Sequence, residues 1–580
     1  MGKESSSSMN NLDMESYGAF PDKNSQIQKE LEGKPYGVQK VMLMKKLGSK
    51  KDKTAVIVGI ILIAWAKNWE ANVVYSSSTY ITSYFNSLNL ASLISVVLYI
   101  VETVLLPFYA KLADMVGRTE SFAISIFFYV LSGIVQAVAP NMDTLVGGQV
   151  IYALGVTGVA ILGHVLIADI TTSVNRGLFQ AFYDFPAIVN IFVAPIVGEA
   201  LVNANAWRWA YSMICFCISV TAIPLMTGLV RLESTVKKSN LLPPRNKQYR
   251  TWSETLRWFC NEIDVIGSIL FIGALCMILL PLVLATSSWG GWNSPRTIGT
   301  LVGGVVCGII FCIWEWKFAE KPVIPLGRWN TWTPIAGVLC CATVSVFHAS
   351  NWTYHITYLQ ISRRASIVTS TYIDRSYDAI YLVSQILSGY LMKRFKVYRP
   401  IVFIGLSLLM IGIGLMIPAR YPTSPTGFVV ITQLIAGFGA GFIYVPILVA
   451  VQSSVPTPDI AIVTALYQIG GTIATSIGSS IAGAVWNGML PTEFAKHVPG
   501  EYDLASLLGD ITYINALPED QHEGTVIAYA NVQRILSIVS LGIAVLAFIF
   551  FLGMRGFALS EEVKEDSNDT PDESSKPQKL

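Results

Sequence analysis

Charged residues are scarce in this chain. They make up 13% of its 580 residues, whereas a soluble globular domain usually carries about 25%. The charges are also segregated, because long stretches contain almost none and the short stretches between them contain several. The formal net charge of +2 gives no indication of binding to nucleic acid. This distribution is typical of a chain that passes repeatedly between lipid and water.

Two chemical signals are also missing. The sequence contains no G-x-x-x-x-G-K-[ST] loop, the element that binds nucleotide phosphates, which argues against an ATP-driven pump. The eight cysteines lie in or beside apolar segments, so we interpret them as small packing residues rather than as disulfide partners or metal ligands. We therefore predict a non-enzymatic protein with no cofactor and no metal site.

Apolar runs long enough to cross a bilayer recur along the chain. A hydrocarbon core of about 30 Å needs about 20 helical residues. Runs of roughly that length lie at 54–75, 90–110, 121–139, 145–168, 178–202, 208–230, 263–287, 297–317, 333–357, 372–392, 400–418, 427–450, 461–486 and 528–553. The sequence therefore predicts an all-α polytopic membrane protein with about fourteen transmembrane helices.

These runs fall into three groups. The first six, within 54–230, and the last six, within 333–553, predict two six-helix bundles. The pair within 263–317 predicts two helices inserted between the bundles, after a polar cytoplasmic linker at 231–262.

Lysine and arginine are concentrated on one side of the predicted membrane. They are numerous before the first run and after the sixth and tenth, and nearly absent after the first, third and fifth. The positive-inside rule then places both termini in the cytoplasm. We expect the polar tails, 1–53 and 555–580, to be disordered. Residues 487–527 form an outside loop far longer than its neighbours, and we expect it to act as a substrate gate.

A charged loop lies between the second and third runs. Residues 110–118 read Ala-Lys-Leu-Ala-Asp-Met-Val-Gly-Arg, close to a G-x-L-a-D-x-x-G-R pattern. Asp114 can cap a helix end and pair with a cation, and Gly117 permits a tight turn. Arg118 supplies the cationic partner, so we interpret the loop as a conformational switch. A degraded copy at 389–394 holds the equivalent place in the second half, as expected of a fold built from repeats.

Several further stretches occur in the order known from one transporter family. They are YSSSTYITS at 75–83, FYAKLADMVGR at 108–118, DVIG at 264–267, RSYD at 375–378, DIAIVTALY at 459–467, GAVWNGMLP at 483–491 and AYANVQR at 528–534. With the fourteen-span layout, they make the chain resemble the fungal siderophore-iron transporters of the major facilitator superfamily. The resemblance implies the major facilitator fold, with the substrate bound between the two bundles. It also implies import of ferric siderophore complexes driven by proton entry. The resemblance does not fix the siderophore, and ferrichrome-like hydroxamates are the preferred candidates.

Other functions stay open alongside this one. Relatives in the same group are similar to haem carriers and glutathione–proton exchangers, and other fourteen-span members export drugs or organic solutes by proton antiport. Many proton-coupled members carry an Arg where this chain has Gln149, and that difference counts against drug export. A signalling receptor is disfavoured because the tails are too short to hold a signalling domain. The plasma membrane is the preferred location, with the endosomal and vacuolar membranes as alternatives.

Two acidic residues interrupt the first apolar runs. Glu70 lies in the first run and Glu102 in the second. A charged side chain at the bilayer centre costs about 2.5–3.5 kcal/mol on insertion scales, and such residues mark ion pathways and proton relays. We therefore interpret both as candidates for proton coupling. The alternative places Glu70 in headgroup water at a helix end and pairs Glu102 with a polar neighbour.

Tyrosine and histidine supply the candidates for substrate binding. A bulky neutral siderophore needs apolar faces with a few hydrogen-bonding groups, and tyrosine provides both. The candidates are Tyr75 and Tyr80 beside a serine-rich stretch, His348 and His355 seven positions apart in the ninth run, and Tyr502 and Tyr513 in the long loop. Interfacial anchoring is the alternative for the aromatic residues, and ordinary packing is the alternative for the histidines.

Overall fold

The computed structural model describes residues 36–170, 186–239, 241–242, 264–318, 332–455 and 460–556, together with the single residues 31 and 183. Its regular structure consists of helices, which are numbered here α1 to α18 in chain order.

The N-terminal half begins with a short helix, α1 (Tyr36–Leu47), followed by six long helices. These six coincide with the first six predicted runs, and they are α2 (Lys50–Tyr84), α3 (Ala91–Met115), α4 (Arg118–Ala137), α5 (Met142–Ile170), α6 (Pro186–Asn203) and α7 (Arg208–Lys238). A 3-10 turn joins α2 to α3. Buried apolar side chains from α1 to α5 and from α7 form one shared core, and Ala194 of α6 packs in a smaller cluster with Val73 and Ala210.

Two inserted helices, α8 (Val265–Ser287) and α9 (Pro295–Lys317), follow the N-terminal half. Helix α8 packs against α3 and α15, whereas the principal contact of α9 is with α8. Only 17% of the most apolar stretch of α9 is buried, and most of its large exposed apolar side chains are valines and isoleucines. Such a surface suits contact with lipid chains rather than with water.

The C-terminal half contains five long helices, one broken span and two short helices. They are α10 (Thr333–Trp352), α11 (His355–Ser362), α12 (Ile367–Phe395), α13 (Arg399–Ala419), α14 (Thr426–Ser453), α15 (Ile460–His497), α16 (Leu504–Gly509), α17 (Ile511–Asn515) and α18 (Glu519–Leu552). Two buried clusters form its core, one towards its predicted cytoplasmic end and one towards its predicted outer end.

Eleven of the described helical segments are long and apolar enough to cross a membrane. The all-α polytopic prediction is thereby confirmed, while the count of fourteen spans stays a prediction. The described part of α6 is short for a span, and α12 carries Asp374, Arg375 and Asp378, which reduce its hydropathy.

The two halves meet along two helix pairs. Helix α3 of the N-terminal half packs against α15, and α6 packs against α12. Hydrogen bonds between the halves also lie towards the predicted outer side, as between Thr79 on α2 and Thr357 on α11 and between Tyr354 and Ser92 on α3. The described contacts therefore close the outer side of the path between the halves.

One predicted boundary is wrong at the N-terminus. The segment 1–53 was expected to be disordered, yet residues 36–47 form α1, which packs against α3, α5 and α7. Lys40 is 2% exposed, and its Nζ lies 2.7 Å from Glu120 Oε1 and 2.9 Å from Glu233 Oε1. Two carboxylates compensate the buried ammonium, which lets a lysine-rich helix pack against protein.

Two further boundaries differ in the C-terminal half. The run predicted at 333–357 forms two helices, because the first helix ends at Trp352 and the next begins at His355. The loop predicted at 487–527 is shorter, since α15 and α18 extend into it and leave residues 498–518. This stretch is called the outer segment below. Most of the predicted linker 231–262 and of the tail 555–580 lies outside the described residues.

Candidate functional site

Glu70 lies inside the N-terminal bundle. Its side chain is 3% exposed, and its Oε2 accepts hydrogen bonds from the hydroxyls of Tyr129 on α4 and Tyr152 on α5, at 3.1 and 3.0 Å. The two tyrosine rings pack edge to face, with centroids 5.3 Å apart. Glu70 is therefore held by two neighbouring helices and does not extend into headgroup water. Its role in proton coupling stays a prediction.

Glu102 occupies a different environment, half-buried on α3. Lys67 of α2 is its principal electrostatic partner, and the ammonium of Lys67 also lies 5.8 Å from the ring centroid of Tyr183. Opposite charges in the same region lower the cost of placing either of them inside a bundle. This environment agrees with the structural alternative considered for Glu102, and its role in proton coupling stays a prediction.

A chain of buried polar groups runs through the outer part of the C-terminal half. His355, at the first turn of α11, is fully buried; its Nδ1 lies 2.7 Å from Asp374 Oδ1 on α12, and its Nε2 lies 2.6 Å from Arg420 Nη1. A guanidinium can only donate, so Nε2 must accept and Nδ1 must carry the hydrogen that is donated to Asp374. The imidazole is thus neutral and links a buried cation to a buried anion.

The same chain crosses to the N-terminal half through Tyr75. The hydroxyl of Tyr75 on α2 donates to Asp374 Oδ2 at 3.0 Å. The guanidinium of Arg375 lies 3.9 Å from the centroid of the Tyr75 ring and donates to Asp378 Oδ2 at 2.7 Å. We call Tyr75, Asp374, His355 and Arg420 the interhalf network.

A cavity of about 170 Å³ opens beside this network in the C-terminal half. His348 stacks on Trp352 there, with ring centroids 5.0 Å apart. The remaining wall combines aromatic rings with a few polar groups; it includes Tyr377, Asp378, Tyr381, Tyr444, Ser345 and Thr475. His348 therefore lines the cavity, whereas His355 belongs to the interhalf network. The two histidines, seven positions apart in the sequence, lie on separate helices, because the helix that carries His348 ends at Trp352.

The other three tyrosine candidates lie at the outer end of the molecule. Tyr80, Tyr502 and Tyr513 are half-buried against the outer cluster of the C-terminal half. Within the outer segment, the Tyr513 hydroxyl accepts the backbone N–H of Asp503 at 3.3 Å. The Ser506 hydroxyl donates to the carboxylate of Asp503 and lowers its pKa. The structure therefore separates these tyrosines from the cavity.

The outer segment covers the junction of α2 and α3. Ile511 is fully buried, and its backbone N–H donates to Ser83 Oγ at 3.0 Å. A Cβ on Gly509 would lie 2.6 Å from the backbone oxygen of Asn86, so only glycine fits there without movement. The segment thus packs onto the N-terminal half, as a gate would require.

The charged loop between α3 and α4 forms a compact ion cluster. Arg118 is 5% exposed; its Nη1 donates to Asp114 Oδ1 at 2.6 Å and its Nε to Asp169 Oδ2 at 3.0 Å. Gly117 has φ of 129° and ψ of 160°, a conformation that glycine adopts readily and other residues rarely do. Asp169 on α5 is a partner that the sequence analysis missed.

Two members of the interhalf network, Asp374 and Arg420, were also missed, as was the neighbouring Asp378. Asp374 and Asp378 follow the start of an apolar run closely, and charged residues within such runs are a signal for function. Arg420 follows the eleventh run directly and gave no such signal. Its contact with His355 joins residues 65 positions apart, which apolar periodicity cannot predict.

The sequence profile of the Major Facilitator Superfamily matches residues 56–372 and 376–479. The siderophore iron transporter mirC of Emericella nidulans is 30% identical over 82% of this chain and 79% of its own length. The chain belongs to the fungal siderophore-iron transporter family of this superfamily. Siderophore iron transporter 1 of Saccharomyces cerevisiae is 27% identical over 89% of this chain and 84% of its own. The family comprises membrane transporters rather than enzymes.

Solved structures agree on the fold. A bacterial homologue of the human lysosomal transporter Spinster, in an inward-facing occupied conformation, has a TM-score of 0.56 at 15% identity. The match covers 87% of this chain and 97% of that one. A POT family transporter in complex with 5-aminolevulinic acid has a TM-score of 0.54 at 12% identity, over 89% and 99% of the two chains. The family member described here is thus a multi-pass membrane protein with the major facilitator fold.

Proposed function

We propose that this protein imports ferric siderophore complexes, preferentially ferrichrome-like hydroxamates, in symport with protons. The similarity over more than four-fifths of the chain to a protein named a siderophore iron transporter carries the proposal. The siderophore fills the ligand shell of its iron, so the protein needs to recognise only the organic surface of the complex. The plasma membrane is the location that fits import from outside the cell.

The cavity beside α10, α12 and α14 suits such a ligand in its chemistry. Tyr377, Tyr381 and Tyr444 offer flat apolar faces with hydroxyls, and His348 and Ser345 add hydrogen-bonding groups. Pockets for drug-sized ligands measure about 300–1,000 Å³, so about 170 Å³ is too small for a whole siderophore complex. Binding therefore requires the halves to separate, and the cavity would hold one face of the ligand.

Glu70 is the proposed site of proton coupling. Its Oε2 accepts from two tyrosine hydroxyls while the group is a carboxylate. A proton on Oε2 would turn that atom into a donor and displace a hydrogen bond from Tyr129 on α4 or Tyr152 on α5. A proton on Oε1 would leave both hydrogen bonds in place and weaken them, because a neutral carbonyl oxygen is a poorer acceptor than a carboxylate. Proton binding at Glu70 can thereby change how α2 packs against its neighbours.

Uptake assays in cells that lack other siderophore carriers test both parts of the proposal. Cells that express the protein should accumulate radiolabelled ferric ferrichrome, and a protonophore should abolish the accumulation. Labelled haem and glutathione serve as competing substrates, and preferential transport of either would overturn the siderophore assignment.

The variant Glu70→Gln separates coupling from translocation. Glutamine preserves the shape of the side chain but cannot release a proton, so exchange of labelled for unlabelled siderophore should persist while uphill accumulation is lost. Asp143→Asn is the matched control, since Asp143 is an exposed carboxylate at the start of α5. Protonophore-sensitive accumulation by Glu70→Gln at the wild-type level would show that the coupling group lies elsewhere.

A further inference from the structure

The contacts between the halves differ in their chemistry. Those of Thr79 with Thr357 and of Tyr372 with the carbonyl of Phe192 join neutral groups. In the described contacts, Tyr75 and Asp374 are the pair that brings a carboxylate to the junction, and the ring of Tyr75 also lies under Arg375. Hydrogen bonds to charged groups are roughly twice as strong as those between neutral groups.

Asp374 is held firmly from the side opposite Tyr75. It is 1% exposed, and its Oδ1 accepts from His355 while its Oδ2 accepts from Tyr75. His355 is fixed in turn by Arg420, whose side chain is 1% exposed and which also donates to Asn351 Oδ1 at 3.2 Å. Removing either end of this chain leaves a buried ionic group without its hydrogen-bond partner, which is costly.

We propose that the interhalf network is a latch between the two halves. Asp374, positioned by His355 and Arg420, holds Tyr75 and thereby keeps the outer side of the path between the halves closed. Opening to the outside must break the hydrogen bond from Tyr75 to Asp374, because the two groups belong to helices of different halves. The network then sets the ratio of outside-open to outside-closed molecules. The latch deepens the proposed transport function, yet its conformational test does not depend on the substrate.

The distance between the outer ends of the halves reports directly on this latch. Spin labels at Ala204→Cys, in the turn after α6, and Asp520→Cys, at the start of α18, occupy exposed positions on opposite halves. With the native cysteines replaced and the full chain in lipid nanodiscs, double electron–electron resonance gives the populations of the short and long distances. The short, closed distance should dominate before the latch is altered.

Two latch variants and one matched control complete the test. Tyr75→Phe retains the ring under Arg375 and loses only the hydroxyl, while Asp374→Asn retains the shape and loses the charge. Each should raise the ratio of open to closed molecules by about tenfold or more, about 1.4 kcal/mol. Tyr372→Phe removes a tyrosine hydroxyl from a neutral contact between the halves, on the same helix as Asp374. It should change the ratio by less than about threefold.

The outcomes separate the latch from the transport proposal. Unchanged distance populations in both latch variants would overturn the latch, as would an equal shift in Tyr372→Phe. A shift confined to the latch variants would support the latch even if the wild-type protein failed to carry siderophores. Siderophore uptake with unchanged distances would support the transport function and reject the latch.

Discussion

Docking of helix α1 should depend on the ammonium group of Lys40. This group is buried against Glu120 and Glu233, and α1 links through it to α4 and α7. Lys40→Met keeps the apolar stem and removes the charge, so packing of the stem against its neighbours is preserved. The variant therefore isolates the contribution of the two ion pairs.

The loss in the free energy of docking depends on which partners the two carboxylates keep when the ammonium group is removed. Breaking a fully buried ion pair costs about 3–5 kcal/mol, because a charge is left without compensation. Here Glu233 keeps Lys237, whose Nζ lies 2.8 Å from Glu233 Oε1, and the side chain of Glu120 is 40% exposed to water. The loss should be smaller, about 2 kcal/mol, which is typical of a hydrogen bond to a charged group. Undocking of α1 should thus become about 30-fold more frequent.

Hydrogen–deuterium exchange in lipid nanodiscs measures this directly. Amide protons of residues 41–47 should exchange about 30-fold faster in Lys40→Met if undocking limits exchange. Lys51→Ala is the control, because Lys51 is an exposed cation in the first turn of α2. Gly37→Ala should act in the same direction, since its Cβ would lie 2.3 Å from the backbone oxygen of Ala113. Wild-type exchange rates in both α1 variants would refute the proposed docking of this helix.

Three more substitutions test other parts of the molecule. Asp114→Asn should leave abundance in the membrane normal and reduce turnover strongly, because it removes one anion from the cluster around Arg118; unchanged transport rates would exclude a switching role. Gly117→Ala should lower the free energy of unfolding by about 1–3 kcal/mol through backbone strain, and an unaltered unfolding temperature would contradict that reasoning. Replacing residues 504–515 by a Gly/Ser linker of equal length should weaken apparent siderophore affinity if the outer segment is a gate. Identical affinity and rate would show that the segment is only structural.

Much of the helical layout was accessible from the amino-acid sequence, because the bilayer demands apolar runs of a fixed length. The predicted runs at 400–418 and 427–450, for example, match α13 and α14 to within three residues at either end. Helix α1 escaped this reasoning, since its 12 residues are too few to cross a bilayer and lysines interrupt it. The far end of α15 escaped as well, because it continues past its apolar run with charged residues such as Glu493 and Lys496, which pair at 2.6 Å.

The candidate site was predictable only in part. Glu70 and His355 stood out because ionisable residues in apolar runs are unusual, and Tyr75 stood out because tyrosine combines an apolar face with a hydrogen-bonding group. Their partners could not be derived, because Tyr75 and Asp374 are 299 positions apart and meet only when the halves pack. Tyr75 joins the interhalf network and Tyr80 packs against the outer cluster, and this difference likewise depends on which face of α2 meets the other half. Local pattern thus indicated individual residues, and tertiary packing determined the groups they form.

Transport by the purified protein tests the central claim most directly. In sealed proteoliposomes that contain only this protein, an acidic exterior should drive radiolabelled ferric ferrichrome inward to a level above that outside, and a protonophore should return it to equilibrium. The same vesicles with Glu70→Gln should equilibrate the label without accumulating it. Failure of the wild-type protein to accumulate ferric ferrichrome under an inward proton gradient would contradict proton-coupled siderophore import.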